Sequence, residues 1–211
     1  MFNFFSPGWL EEMLYMTPAI IIGLSFHEFA HAAAAYKLGD RTAYREGRLT
    51  LNPAAHLDIL GIIMLYLAGF GWAKPVPVNP FNLQGSTKRG MMLVSLAGPA
   101  SNLIMAVTGA LLLGLFFLNT PYISRIIAEI IRINVILAVF NLIPLPPLDG
   151  SKILAGLLPG RQEWLYSLEQ YGVIILVILL FTGIIGKVFG FVIVPLYYML
   201  VNFALFLNAM L

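Results

Sequence analysis

Two histidines four residues apart enclose a glutamate in the stretch His27-Glu28-Phe29-Ala30-His31. On a helix, positions i and i+4 share a face, so both imidazoles can reach one zinc ion. Glu28 then sits beside the metal, placed to take a proton from a water bound there. The flanks are apolar: Ile20 to Leu24 before the pair and Ala32 to Ala35 after it. Within a membrane helix, ionisable groups are costly and mark function. A catalytic zinc takes three protein ligands and leaves one position open. The chain has no cysteine, and its other acids are Glu11, Glu12, Asp40, Glu46, Asp58, Glu129, Asp149, Glu163 and Glu169. Only Asp149 follows a long apolar run inside a broken backbone, Asn141-Leu142-Ile143-Pro144-Leu145-Pro146-Pro147-Leu148-Asp149-Gly150. Three prolines in four positions cannot continue a helix. The carbonyls they free are tolerated at membrane depth only where the backbone is buried in protein or lines a wet cavity. The same residues also fit a helix end with Asp149-Gly150 as an interfacial turn.

These stretches resemble the two metal-binding motifs of the site-2 protease family of intramembrane zinc metalloproteases. A third recurring feature is matched by Ala97-Gly98-Pro99-Ala100-Ser101-Asn102. Gly47 to Pro53 (GRLTLNP) with His56, and Gly71 to Pro80 (GWAKPVPVNP), are similar to the short prokaryotic branch without a PDZ domain. The resemblance covers about residues 20–160. It implies His27, His31 and Asp149 as ligands of one Zn2+ per chain and Glu28 as the general base. It also implies that Asn141 lies near the substrate backbone and stabilises the oxyanion. The branch has proline after the aspartate of its His-x-Asp stretch, whereas Ile59 follows Asp58 here.

Two further residues are candidates for substrate contact. His56 is close to Asn52 and Asp58, where it could touch substrate, help gate water or simply lie at the interface. Asn102, four residues after Gly98, could orient a metal ligand or bond a neighbouring helix with close packing at Gly98. Arg125, Glu129 and Arg132, spaced i, i+4 and i+7, read as a charged helix face at the membrane rim.

The elements that must position these groups follow from composition. The 211 residues are 60% hydrophobic and 10% charged, with a mean hydropathy of +0.88. A soluble domain carries about 25% charged residues, so the expected solvent is a bilayer. The absence of cysteine excludes a disulfide scaffold, and a net charge of +2 is too small for a nucleic-acid binder. The first nine residues lack the cations of a cleavable leader. Each helix needs about 20 apolar residues to cross. Five spans are expected, near 13–38, 91–118, 126–148, 163–185 and 188–211. The whole of 1–211 then forms one all-α, multipass membrane domain, with 163–211 adding two helices to the family-like core. A sixth stretch, 57–72, is short for a crossing and contains Gly61, Gly69 and Gly71.

Cations follow the first span (Lys37, Arg41, Arg45, Arg48) and none precedes it. The positive-inside rule therefore places the N-terminus outside and the site toward the cytoplasm. For His27, His31 and Asp149 to meet, the first and third spans must run parallel, so 57–72 must be re-entrant or interfacial. Lys74, Lys88, Arg89, Lys152 and Arg161 then fall inside, and Arg125 and Lys187 outside. The expected activity is hydrolysis of a peptide bond within or near a transmembrane segment of another protein. A divalent-metal transporter would need acidic or histidine rings across the membrane, and the three histidines all lie between 27 and 56. A non-catalytic scaffold fits poorly with an intact Glu28. A membrane protease with a glutamate ligand would have to use Glu129, Glu163 or Glu169. The oligomeric state is not legible.

Overall fold

The computed structural model describes residues 8–68, 71–160 and 163–211. Arg161 lies outside the described residues. Among the described residues eight α-helices follow one another: α1 (Trp9–Lys37), α2 (Thr42–Arg45), α3 (Ile59–Ala68), α4 (Thr87–Leu112), α5 (Pro121–Asn141), α6 (Asp149–Leu157), α7 (Glu163–Phe181) and α8 (Ile184–Ala209). The described residues contain no strand, only one isolated antiparallel bridge between Leu57 and Ala73. Among the described residues three helices are long and apolar enough to cross a membrane: Trp9–Lys37, Thr87–Phe117 and Ile184–Ala209. Their outward faces carry large apolar side chains, among them Leu14, Ile104, Phe116 and Phe206. A helix that is apolar all round has its hydrophobic solvent outside as well as inside.

Helices α1, α4 and α5 form the centre. Parallel packing of α1 and α5 is marked along their length. Glu11 pairs with Arg125 at 2.6 Å, Met16 and Ile20 pack on Ile133, and Gly23 meets Asn134 and Leu137. Helix α4 runs the other way, with Val94 beside His31 and Asn102 beside Gly23. Between helices in lipid, close packing replaces the hydrophobic effect, and small residues allow it. Ala106 and Ala110 of α4 accordingly pack on Ile127, Ile131 and Val135 of α5 and on Ile193, Leu200 and Ala204 of α8. Where α4 meets α8, its last turn widens into a π-helix over Leu113–Phe117, and Gly114 lies against the Ala204 backbone.

The stretch 57–72, of which 69–70 with Gly69 lie outside the described residues, begins and ends at the same place. Asp58 accepts from the Gly61 N–H at 2.8 Å to start α3. The Leu57–Ala73 bridge and the Lys74 N–H donating to the His56 carbonyl (2.8 Å) bring the chain back to where it left. Both ends of the stretch thus lie together, as the metal hypothesis requires.

The last fifty residues differ from expectation. Gly183, at φ 73°, separates α7 from α8, earlier than the break foreseen between 185 and 188. Helix α7 sits against the proline turn, with Gly172 touching Pro146 and Leu176 packed on Leu145 and Leu148. Helix α8 begins there too, with Ile185 in the same cluster and Phe189 against Phe140 at 5.9 Å. It then runs antiparallel to α5. Lys187 is therefore at the end of the bundle that holds Asp149, not at the opposite end.

Candidate active site

The ends of three elements supply the site. Helix α5 stops at Asn141 rather than continuing to Leu148, because the prolines begin at Pro144. The chain turns back, and a Cβ on Gly150 would collide with the carbonyls of Leu142 and Ile143. That turn makes Asp149 the first residue of α6, where a helix N-terminus favours a carboxylate. Lys88 of α4 donates to the Leu158 and Gly160 carbonyls at the other end of α6.

His27, His31 and Asp149 converge. Asp149 Oδ2 lies 3.2 Å from His27 Nε2 and 3.1 Å from His31 Nε2, and the two Nε2 atoms are 3.0 Å apart. The tautomers follow from the neighbours. His27 Nδ1–H donates to Asn102 Oδ1 at 2.6 Å, and His31 Nδ1–H donates to the Val94 carbonyl at 2.7 Å. Both Nε2 atoms therefore present lone pairs to each other and to a carboxylate. Three electron-rich atoms at such distances repel unless a cation lies among them. A tetrahedral zinc with bonds near 2.0–2.1 Å has ligand–ligand edges of roughly 3.4 Å, close to the separations found. The donor set, two imidazoles and one carboxylate, fits that ion. All three residues are buried or nearly so.

Gly98 completes the setting. A Cβ there would stand 2.5 Å from His31 Nε2 and 2.6 Å from His27 Cε1. Helix α4 can approach the imidazoles only because this position has no side chain.

Glu28 is buried but is not one of the three. The Val76 N–H donates to its Oε2 at 3.0 Å. Val76 belongs to the helix-free segment 73–79, which is tied down at both ends. Buried Arg48 donates through Nη2 to the carbonyls of Lys74 (2.6 Å) and Pro75 (3.2 Å). At the other end, buried Asp40 accepts from the Asn79 N–H (2.7 Å), from Asn82 Nδ2 (3.0 Å) and from Thr42. Burial pushes the Asp40 carboxyl up, but the hydrogen bonds from Thr42, Asn82 and Asn79 outweigh it and hold it below the ordinary carboxylate range. A cavity of about 250 Å³ opens between His27, Glu28, His31 and Asp149 on one side and Pro75, Val76 and Asn141 on the other.

The remaining candidates fall in different places. Asn141 lines that cavity, with Nδ2 donating to the Leu137 carbonyl at 3.0 Å. Asn102 does not face it. It is fully buried behind His27, and its amide is spent on His27, Gly23 and Asn134, so it can orient a ligand but cannot touch substrate or oxyanion. His56 is also fully buried. Its Nε2–H donates to the Thr50 carbonyl at 2.7 Å, and it is absent from the cavity wall, so it braces the 50–57 loop instead. Of the two stretches that resemble the short prokaryotic branch, 71–80 lines the cavity through Pro75, Val76 and Val78, and 47–53 does not. Sequence reasoning missed the roles of Arg48, Asp40 and Asn134, and read Gly98 only as a point of close helix packing. For Asn134 a signal existed, an amide flanked by Ile133 and Val135 inside an apolar run.

The model of peptidase family M50 matches residues 119–185. The chain is 42% identical over 182 residues to "Putative zinc metalloprotease YwhC" of Bacillus subtilis, covering 82% of this chain and 83% of that one. It is 36% identical over 177 residues to "Putative zinc metalloprotease Rip2" of Mycolicibacterium smegmatis, covering 80% and 67%. An archaeal relative, "Putative zinc metalloprotease MJ0611" of Methanocaldococcus jannaschii, is 31% identical over 136 residues, covering 64% and 66%. No solved structure matches the chain.

Proposed function

The chain belongs to peptidase family M50, and on that footing we propose that it is a zinc-dependent endopeptidase acting within or near transmembrane segments of other membrane proteins. The observation that carries this reading is the convergence of two imidazole lone pairs and one carboxylate beside a separate, buried glutamate. His27, His31 and Asp149 would hold the metal. When bound, zinc polarises the scissile carbonyl and lowers the pKa of water.

The rest of the chemistry belongs to side chains. The Val76 N–H fixes one oxygen of Glu28, which leaves the other to accept the proton of the attacking water. As the C–N bond breaks, Glu28 returns that proton to the leaving nitrogen, a role worth roughly 10²–10⁴ in rate. Asn141, on the opposite wall, offers its second amide proton to the developing oxyanion. A helical substrate hides its peptide bonds in its own hydrogen bonds, so the cleaved stretch must unwind before it reaches the cavity.

The membrane setting is part of the proposal. Helices α1, α4 and α8 have the length and composition to cross. Helix α5 runs between them despite Arg125, Glu129 and Arg132, which meet partners at 2.6 Å (Glu11) and 2.5 Å (Glu129 with Arg132). Lys37, Arg41, Arg45, Lys74, Lys88, Arg89 and Lys152 cluster toward the end that carries the site, which by the positive-inside rule supports a cytoplasmic site and an outside N-terminus in a cell membrane.

The test is Glu28→Gln in detergent-solubilised protein. It should keep about one zinc per chain, since Glu28 is not a ligand, and lose cleavage of a model transmembrane substrate. Undiminished cleavage would sink the mechanism, and loss of zinc would make Glu28 a ligand.

A further inference from the structure

Behind His27 a chain of amides crosses the three central helices. Asn134 of α5 is fully buried, and its Nδ2 donates to the Ile130 carbonyl at 2.8 Å. Its Oδ1 accepts from Asn102 Nδ2 at 2.8 Å. Asn102 Nδ2 also donates to the Gly23 carbonyl at 3.0 Å, and Asn102 Oδ1 accepts from His27 Nδ1 at 2.6 Å. A backbone carbonyl can only accept. The Ile130 carbonyl therefore fixes which end of the Asn134 amide is nitrogen, and so turns its oxygen to Asn102. That oxygen and the Gly23 carbonyl together hold both Asn102 protons. The Asn102 oxygen is left facing His27, which must carry its proton on Nδ1 and its lone pair on Nε2.

We propose that Asn134 is a positioning residue for the metal centre, acting through Asn102 to set the His27 tautomer. His31 needs no such relay, because the Val94 carbonyl fixes its tautomer directly. Reversing the Asn102 amide would set its oxygen against two other oxygens, Asn134 Oδ1 and the Gly23 carbonyl. Removing Asn134 Oδ1 takes away one of these two constraints, so the reversed amide becomes accessible. In the reversed state an N–H points at His27 Nδ1, the ring proton moves to Nε2, and the lone pair that would bind metal is lost. The relay also ties α5 to the ligand on α1 by a route separate from Asp149.

The proposal rests on the zinc reading, and its test separates the two. Zinc affinity of the purified full-length protein is measured by chelator competition for wild type, Asn134→Leu, Asn134→Asp, Asn102→Ala and the Asn102→Ala/Asn134→Leu double variant. Side-chain ¹⁵N NMR of the three histidines in metal-free protein reports the tautomer directly. Asn134→Leu should weaken zinc binding by about ten- to a hundredfold, the usual cost of losing a group that orients a ligand. Its metal-free spectrum should show His27 in mixed tautomers, with His31 unchanged. Asn134→Asp, which keeps an acceptor for Asn102, should recover most of the affinity. The double variant should be no worse than Asn102→Ala alone, since the two act in series. Wild-type affinity and a single His27 tautomer in Asn134→Leu would overturn the relay, as would additive losses in the double variant. A wild type that binds no zinc would instead overturn the underlying metal reading, and the spectra would still decide the relay.

Discussion

At the scale of single residues, the site is held by what is missing as much as by what is present. Gly98 leaves room for two imidazoles that a methyl group would overlap. Gly98→Ala should therefore lower zinc affinity at least tenfold while the protein still inserts, as zinc content per chain and detergent extraction would report. Asp149 contributes the only carboxylate of the described triad. Asp149→Asn should lose both zinc and activity. Asp149→Glu should move the carboxylate by about 1 Å and cost roughly a hundredfold in rate through misplacement. Glu129 pairs with Arg132 instead, so Glu129→Gln should leave zinc content unchanged. Full zinc and activity in Asp149→Asn, with both lost in Glu129→Gln, would point to a glutamate-type metalloprotease.

At the scale of elements, the segment 73–79 decides how Glu28 is presented. It has no helix or sheet of its own and is kept in place by Arg48 at one end and Asp40 at the other. Arg48→Ala should reduce kcat by tenfold or more with zinc content intact, and Arg48→Lys should restore it poorly, because the shorter, strongly hydrated ammonium lacks the rigid planar guanidinium that aims Nη2 at the Lys74 and Pro75 carbonyls. Asp40 adds a pH dependence. Its folded-state pKa lies below the unfolded value of about 3.9, so its contribution to stability is present above that value and fades as pH falls through the folded one. The difference in melting temperature between wild type and Asp40→Asn should be largest near neutrality and shrink below about pH 4. These anchors explain what was legible in the sequence. His27, Glu28 and His31 announced themselves by spacing on one helix, and Asp149 by proline-broken backbone. Arg48 and Asp40 did not, because charged loop residues after a span look like ordinary solvated flanks until folding buries them. The side on which Lys187 falls is hidden from the sequence for a related reason. Hydropathy marks where apolar segments lie, but only packing on Leu145 and Leu148 shows which way they run.

For the whole molecule, sidedness is the property that the bundle dictates. The α3 hairpin returns to its starting end, so positions before and after it share a face. Cysteines placed at exposed Glu46 and Ser86 should be labelled from the cytoplasm only, and one at Tyr122 from outside only. Outside labelling at Ser86 would mean that the 57–72 stretch crosses, and Asp149 could not then meet the histidines. The parallel pairing of α1 and α5 reaches further than sidedness. It is pinned at the end far from the site by Glu11 and Arg125, in the middle by Gly23 and Asn134, and at the site by the ligands themselves. Adding or deleting one residue in a helix shifts everything beyond it by about 1.5 Å and turns it by about 100°. Metal ligands tolerate about 0.2 Å. Between Arg125 and Asn141, then, the chain's length is as constrained as its composition. Evolution can change residues along that stretch but can gain or lose them only in the loops, and the short link at 118–120 and the turn after α6 are where related chains of different length should differ.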